Sequence, residues 1–383
     1  MKPFVIDADS HIDESEPMWD HLPPKYQSRR PVPIVVDRAK APYMGTWNGF
    51  WMIDGRATSW TFGQGAFLSA VPMGTQMQED RKISKESAAL TDVDARIRDL
   101  DRTGIDVSVL HPTLFNHPLS DDNDFHTALM RAHNDYMHTQ TSQRPDRLKW
   151  TALLPLHDLN HAVAEVQRAK DNGAVALCIP GGTAGDKWLH GGEFEPLWDA
   201  IEAIDLPVTL HIGYSSPALT KFFDEVGTGL TFDRFIMFMG FYSFTAAGIL
   251  ARHPRLRVAF MEAGVDSLKW LIDREQELYP VVKHFRAEAG LGPMTPEPPS
   301  AYLDRVYVSC MGDEKGIAEA LEFLGEDQLL WSVDMVHHSV ADNAANELLE
   351  RTDVRESAKP KLVTSNAARY YGLKVPALQT APG

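Results

Sequence analysis

Eight short apolar runs recur along this chain, at residues 4–8, 105–110, 149–154, 174–179, 207–212, 257–262, 305–309 and 328–333, with helical patterns between them. Most are apolar at nearly every position, as strands buried on both faces should be. Strands of that kind alternating with helices dictate a parallel sheet covered by helices. Eight such units in 383 residues match an α/β fold, the (β/α)8 TIM barrel. A doubly wound open sheet is the alternative. No G-x-G-x-x-G follows the first run, which removes one reason to prefer it.

The helical patterns carry their own signals. TDVDARIRDLDRT at 91–103 places Val93, Ile97 and Leu100 on one side and stops at Gly104, a residue suited to ending a helix. Helices are also expected at 124–141, 159–173, 194–205, over most of 216–254, at 265–290, 315–325, 340–351 and 360–371. One stretch breaks the alternation. Residues from about 15 to 90 contain Pro17, Pro23, Pro24, Pro31, Pro33 and Pro42 and an aromatic-rich patch at 43–51. So much chain without a long helix is uncommon unless it is functional. It reads as an irregular insertion after the first strand, a cap over the strand ends within one domain spanning 1–383. Within it, PIVVD at 33–37 and FWMID at 50–54 are expected to pair as a hairpin, with Asp54-Gly55 as a turn signal.

In a barrel of this type the active-site residues sit at the C-terminal strand ends. The first run, FVIDADSHIDE, ends in Asp7, Asp9 and His11. Alternate residues of a strand share a face. A carboxylate and an imidazole two residues apart can therefore grip one cation, and imidazole suits Zn, Fe, Mn, Ni or Cu. A D-x-H triplet is common by chance, and Asp9 can equally cap a turn. The second run ends in His111, the third near His157, the fourth in Gly181-Gly182 and the fifth in His211. The sixth ends in Glu262, the seventh at Cys310, and the eighth in Asp334 with His337 and His338 just after. One such histidine is more often a hydrogen-bonded core residue. Four or five on convergent strand ends make coordination the better reading.

Composition narrows the partners. The chain is 44% apolar and 23% charged, ordinary for a soluble globular protein. A net charge of −16 favours neither nucleic acid nor anionic membrane. No window of about twenty apolar residues stands out, so no membrane span is expected. The start, MKPFVIDADSH, lacks the basic and apolar regions of a signal peptide. Two cysteines, Cys178 and Cys310, make no disulfide framework and fit a reducing, cytoplasmic setting.

Four fragments carry a family resemblance: IDADSHIDE, LPVTLHIG at 206–213, HPRLRVAFMEAGVDSLKWLIDR at 253–274 and LLWSVDMVHH at 329–338. In that order they resemble the amidohydrolase superfamily. Within it they resemble the amidohydrolase-related branch that includes the aminocarboxymuconate-semialdehyde and resorcylate decarboxylases. RIRDLDRTGIDVSVLHPT resembles that branch's second strand, so the likeness covers nearly the whole chain. It implies that Asp9, His11, His211 and Asp334 hold a divalent metal, Zn, Mn or Fe, as one or two ions. It implies Asp334 as a proton acceptor or ligand.

At the sixth strand this chain departs from the decarboxylases, which keep a histidine where it has Glu262. Glu262 would then serve as acid/base or as a further metal ligand, its alternative being an ion pair with Arg257 or Arg274. Of His337 and His338, one would orient substrate or bind metal and the other would be solvated, and His111 would be a ligand or a supporting residue. The expected function is a metal-dependent hydrolase or non-oxidative decarboxylase of a small carboxylated or cyclic molecule. Asp334, Glu262 and His337 are its expected catalytic residues, and Glu262 tilts the balance toward hydrolysis. A dinuclear Fe or Mn oxygenase and a non-catalytic barrel subunit of a complex are the alternatives. A homo- or hetero-oligomer is expected, with FDRFIMFMGFYSF at 232–244 as an interface or, equally, a buried helix pair.

Overall fold

All eight expected runs form strands. The computed structural model describes residues 3–35, 49–58, 83–213, 215–216, 218, 234–337 and 340–375. His338, the aromatic patch at 43–48 and the helical pattern at 219–233 lie outside the described residues.

In chain order, β1 (Ile6–His11) is followed by β2 (Val32–Val35), β3 (Gly49–Ile53) and β4 (Arg56–Thr58), which make a small antiparallel sheet. The remaining barrel strands are β5 (Val107–His111), β6 (Leu148–Leu153), β7 (Ala176–Pro180), β10 (Val208–His211), β11 (Val258–Met261), β12 (Val306–Met311) and β13 (Leu329–Ser332). Between β7 and β10 lies a two-stranded ribbon of β8 (Thr183–Ala184) and β9 (Lys187–Trp188). Every pair along β1-β5-β6-β7-β10-β11-β12-β13 is parallel. β1 and β13 close the ring through Asp334 N–H to Asp9 O at 3.1 Å and His11 N–H to Met335 O at 3.0 Å.

The strands are apolar at almost every position because both faces are covered. Outward side chains such as Leu110, Leu177, Leu210 and Phe260 belong to the large core under the helices. Inward ones, including Ile6, Val109, Ala259 and Leu330, form a second core with Tyr370 and Tyr371. Tyr371 Oη donates to Ala8 O and Tyr370 Oη to Val208 O, so the C-terminal helix Asn366–Tyr371 plugs the bottom of the barrel.

Of the helices, Val93–Thr103 buries Val93, Ile97 and Leu100 and ends at Gly104 in the left-handed conformation. Asp92 caps it by accepting from Ala95 N–H, the arrangement an N-terminal aspartate favours. The helix expected over 340–351 shrinks to Asn346–Leu349. Asn343, with φ 54°, turns the chain the wrong way for a continuous helix.

The expected hairpin forms between β2 and β3, but Asp54-Gly55 turns β3 into β4. By length and composition Phe235–Arg252 could cross a membrane, against expectation. Within it Phe235–Phe244 and Ile249–Arg252 are separate helices lying mostly against the barrel. The buried-helix reading of 232–244 therefore holds for Ile236, Met237, Phe241 and Phe244, while Phe235 is exposed.

Candidate metal centre

β1 does not run straight into the mouth of the barrel. Its register against β5 shifts between Asp7 and Ser10. Such irregularities re-aim side chains at functional sites. Asp9 and His11 turn into the centre of the mouth. Asp7, two residues deeper, accepts from Val333 N–H at 3.1 Å and ties β1 to β13. Burial first, offset by that bond and one from Asp9 N–H, pushes its pKa up to about 7.

The strand ends bring six side chains together. Ligand atoms of Asp9, His11, His211 and Glu262 lie within 4.8 Å of one another, as do those of His11, Glu262, Asp334 and His337. Glu262 Oε1 is 2.9 Å from His211 Nε2 and 3.4 Å from His11 Nε2. Asp334 Oδ1 is 3.5 Å from His11 Nε2 and 2.9 Å from His337 Nδ1. All but Glu262 are buried; its side chain is 23% exposed and faces the opening. Glu262 (φ 57°) and Asp334 (φ 50°) adopt the left-handed backbone region. For a residue with a Cβ this costs on the order of 1 kcal/mol. It makes the sharp turn that presents each carboxylate at its strand end.

The histidine tautomers follow from backbone acceptors. His11 Nδ1 lies 3.1 Å from Pro112 O and His211 Nδ1 lies 3.0 Å from Ile212 O. A carbonyl can only accept, so each Nδ1 carries the proton and each Nε2 is left for a ligand. Those two Nε2 atoms are 3.1 Å apart. Apart from the neighbouring histidine nitrogens, the buried Asp9 Oδ1 and Glu262 Oε1 have no hydrogen-bond partner. Imidazole lone pairs and carboxylate oxygens aimed at one point fit a divalent ion of the Mn, Fe or Zn kind.

The electrostatics agree. Burial works against charge on His211, but Glu262 and then Asp9 push its pKa up to about 9. Burial would raise Glu262, yet His211 and His11 hold it well below the usual carboxylate range. Burial, then the neighbouring His337, brings His11 down to about 4. Burial raises Asp9 well above its ordinary value, partly offset by His211 and reinforced by Glu262 and Asp334. The cluster is comfortable only with positive charge held among its carboxylates.

Of the expected site residues, Asp9, His11, His211, Glu262, Asp334 and His337 converge. Glu262 does not pair with Arg257, which bonds Asp205 and Tyr370 O, nor with Arg274, which bonds Glu277. His111 joins the rim of the cluster, its Nδ1 3.2 Å from Asp9 Oδ1. His157 does not join. It bonds Thr127 Oγ1 and Asn123 O and lines a neighbouring cavity. Cys310 is buried among apolar neighbours, and burial pushes its thiol pKa up.

Three supporting residues escaped the sequence reading. Ser309 Oγ accepts from Glu262 N–H at 2.9 Å and donates to Asp9 Oδ2 at 3.3 Å. Thr113 Oγ1 bonds His337 Nε2 at 2.9 Å. Glu14 accepts from Thr113 N–H and Leu114 N–H, fixing the loop that carries Thr113. A hydroxyl or an acid inside a run carries no periodic signal, so nothing in the sequence singled these out.

A family model described as "Amidohydrolase" matches residues 53–373. A gamma-resorcylate decarboxylase of Polaromonas sp. (strain JS666 / ATCC BAA-500) is 22% identical, covering 73% of this chain and 87% of that protein. Among solved structures, an amidohydrolase of Mycobacterium avium subsp. paratuberculosis K-10 superposes with TM-score 0.74 at 20% identity, over 98% of this chain and 99% of that one. A 5-carboxyvanillate decarboxylase of Novosphingobium aromaticivorans DSM 12444, complexed with manganese and 4-hydroxy-3-methoxy-5-nitrobenzoic acid, superposes with TM-score 0.65 at 19% identity, over 97% of this chain and 96% of that one.

Proposed function

The chain belongs to the amidohydrolase family, and we propose that it is a metal-dependent, non-oxidative decarboxylase of a small carboxylated ring compound. The observation that carries this reading is the convergence of Asp9, His11, His211, Glu262, Asp334 and His337 on one point at the barrel mouth. Relatives named as decarboxylases of gamma-resorcylate and 5-carboxyvanillate support the reaction type, and the manganese of the latter supports that ion.

Asp9, His11, His211, Glu262 and Asp334 would hold the ion. Bound there, it would supply the positive charge that fixes a substrate carboxylate and a neighbouring oxygen, and would lower the pKa of a water. The chain's own residues handle the proton. Decarboxylation replaces a C–CO2 bond with C–H, so a proton must reach the carbon that loses CO2. Asp334 and His337, 2.9 Å apart and backed by the Thr113 hydroxyl, form the relay suited to deliver it. Ser309 keeps Asp9 and Glu262 in register with each other. The segment of about 15–90 would cap the mouth. Trp19 of that segment packs on Trp51 and on Phe115, two residues beyond Thr113.

Hydrolysis is the second reading, and Glu262 favours it. It stands where the resembled decarboxylases keep a histidine, and His211 and His11 hold it anionic. An anionic carboxylate at the open side of the centre suits a base that takes a proton from water. Both cysteines are free and buried, which supports a reducing, cytoplasmic setting.

The test is CO2 release from 2,6-dihydroxybenzoate by manganese-loaded protein, in air and under nitrogen. Release at equal rates in both, lost by at least about 100-fold in Asp334→Asn, is the expected result. Cleavage of lactones or amides without CO2 release would establish the hydrolase instead. A requirement for O2 would establish the oxygenase.

A further inference from the structure

Beside the metal centre lies a cavity of about 290 Å³ that none of the six converging residues lines. Its wall is continuous with the centre. Pro180, which lines it, is the register partner of His211 across β7 and β10. Phe115, which also lines it, follows Thr113, whose hydroxyl bonds His337. A cavity of about 150 Å³ can hold benzene, so this one has room for one substituted ring.

The lining is divided by chemistry. Phe115, Met130, Leu154, Ile179 and Pro180 make an apolar bed. His117, His126 and His157 also line the cavity. The rings of Phe115 and His126 lie 6.3 Å apart at 32°, and those of His126 and His157 lie 5.2 Å apart at 35°. The three present a stepped aromatic wall, a shape that suits a flat ring. His126 is 5% exposed, and its Nδ1 has no hydrogen-bond partner, nor has Nδ1 of His117. Buried polar atoms left in that state are expected to meet a partner when a ligand arrives.

Charge decides which ligand. Among the described residues the lining contains no lysine or arginine, and its one carboxylate is Asp121. Burial pushes the pKa of His126 down to about 3 and that of His117 to about 4, so both rings are neutral at physiological pH. An anion entering here would lose its water and gain no counter-charge. An uncharged donor or acceptor would gain an imidazole nitrogen.

We propose that this cavity receives the end of the substrate remote from the reacting carboxylate, and that it selects a ring with an uncharged hydrogen-bonding substituent, a hydroxyl, methoxy or carbonyl group, over one with a second anionic group. His126 is its principal specificity-determining residue. The inference rests on the reading of the centre as one that takes a carboxylated ring, but it is tested by binding, without turnover.

The experiment compares 3-methoxybenzoate with benzene-1,3-dicarboxylate on the manganese-loaded full chain, by calorimetry, with metal content measured in every sample. Wild type should bind 3-methoxybenzoate at least about tenfold more tightly, the worth of one hydrogen bond or one avoided buried charge. His126→Leu should weaken 3-methoxybenzoate by about tenfold at unchanged metal content. His126→Asn, which keeps a polar atom near the Nδ1 position, should recover part of the loss. Equal or tighter binding of the dicarboxylate, no binding of either acid, or a His126→Leu variant with unaltered affinities would each overturn the proposal. If the preference holds while 2,6-dihydroxybenzoate is not decarboxylated, the cavity assignment stands and the decarboxylase reading falls.

Discussion

The Nε2 atoms of His11 and His211 face each other across 3.1 Å, each ring fixed from behind by a backbone carbonyl on Nδ1. Two imidazole nitrogens at that distance need positive charge between them, either a metal ion or the proton that, against burial, Glu262 and Asp9 hold on His211 by pushing its pKa up to about 9. The barrel brings them there from strands 200 residues apart in sequence. A divalent ion seated there would take the place of that proton.

His211→Ala should therefore abolish metal retention, since the alanine removes a ligand from the centre. A ligand that binds only the folded chain adds about 2.7 kcal/mol at a hundred times its Kd. Manganese should raise the thermal midpoint of wild type and leave that of His211→Ala unmoved. A variant that keeps both metal and midpoint shift would remove His211 from the centre.

Ser309 joins two carboxylates by one hydroxyl, accepting from Glu262 N–H and donating to Asp9 Oδ2. Losing a residue that orients ligands typically costs 10–100-fold in metal affinity. Ser309→Ala should weaken manganese by about that factor and cost about 1 kcal/mol in stability. Titration with a competing chelator reads the first and urea unfolding the second. Unchanged affinity with the same stability loss would make Ser309 a packing residue only.

Much of this centre was legible in the sequence because barrel strands are legible. A continuous apolar run ending in a charged residue marks both the strand and its active end, which is how Asp9, His11, His211, Glu262 and Asp334 were found. His157, whose role the sequence left open, stays out of the cluster for a definable reason. β6 ends at Leu153, and Leu154, Leu156 and His157 beyond it line the neighbouring cavity instead. Ser309 and Thr113 stayed invisible because a hydroxyl in a strand or loop is ordinary until its partners are known. The left-handed turns at Glu262 and Asp334 were unreadable too, since neither residue is the glycine that usually marks that conformation. Over 340–351 local helix propensity misled, because Asn343 obeys tertiary contacts instead: its N–H reaches Arg102 O.

The turn after β7 sets how closely helix Phe235–Phe244 can approach the barrel. A Cβ on Gly182 would lie 2.0 Å from Ile236 O and 2.6 Å from Gly240 N, both backbone atoms that cannot rotate away. Gly182→Ala should cost at least the upper end of the roughly 1–3 kcal/mol of ordinary overpacking. Gly192, with nothing within 4 Å of its added Cβ, is the control, and Gly192→Ala should change stability by less than about 0.5 kcal/mol. Equal losses in the two variants would show that the close approach of helix and turn is not what Gly182 provides.

Glu275 gives the fold a pH dependence remote from the metal. It is 7% exposed within helix Ser267–Glu288 and accepts from Thr245 Oγ1 at 2.7 Å. Burial, only partly offset by that bond, raises its pKa from 4.5 to about 7. Between those values the folded chain keeps a proton that the unfolded chain has released. Its contribution is thus complete below about pH 4.5 and is lost as pH rises through about 7. At about 1.4 kcal/mol per unit, the loss is roughly 3 to 3.5 kcal/mol by pH 8. Glu275→Gln stays neutral throughout and can still accept from Thr245. Urea midpoints of wild type and variant should nearly coincide at pH 5, and the variant should be the more stable at pH 8. Parallel midpoints at the two pH values would mean that Glu275 is already ionised in the folded chain.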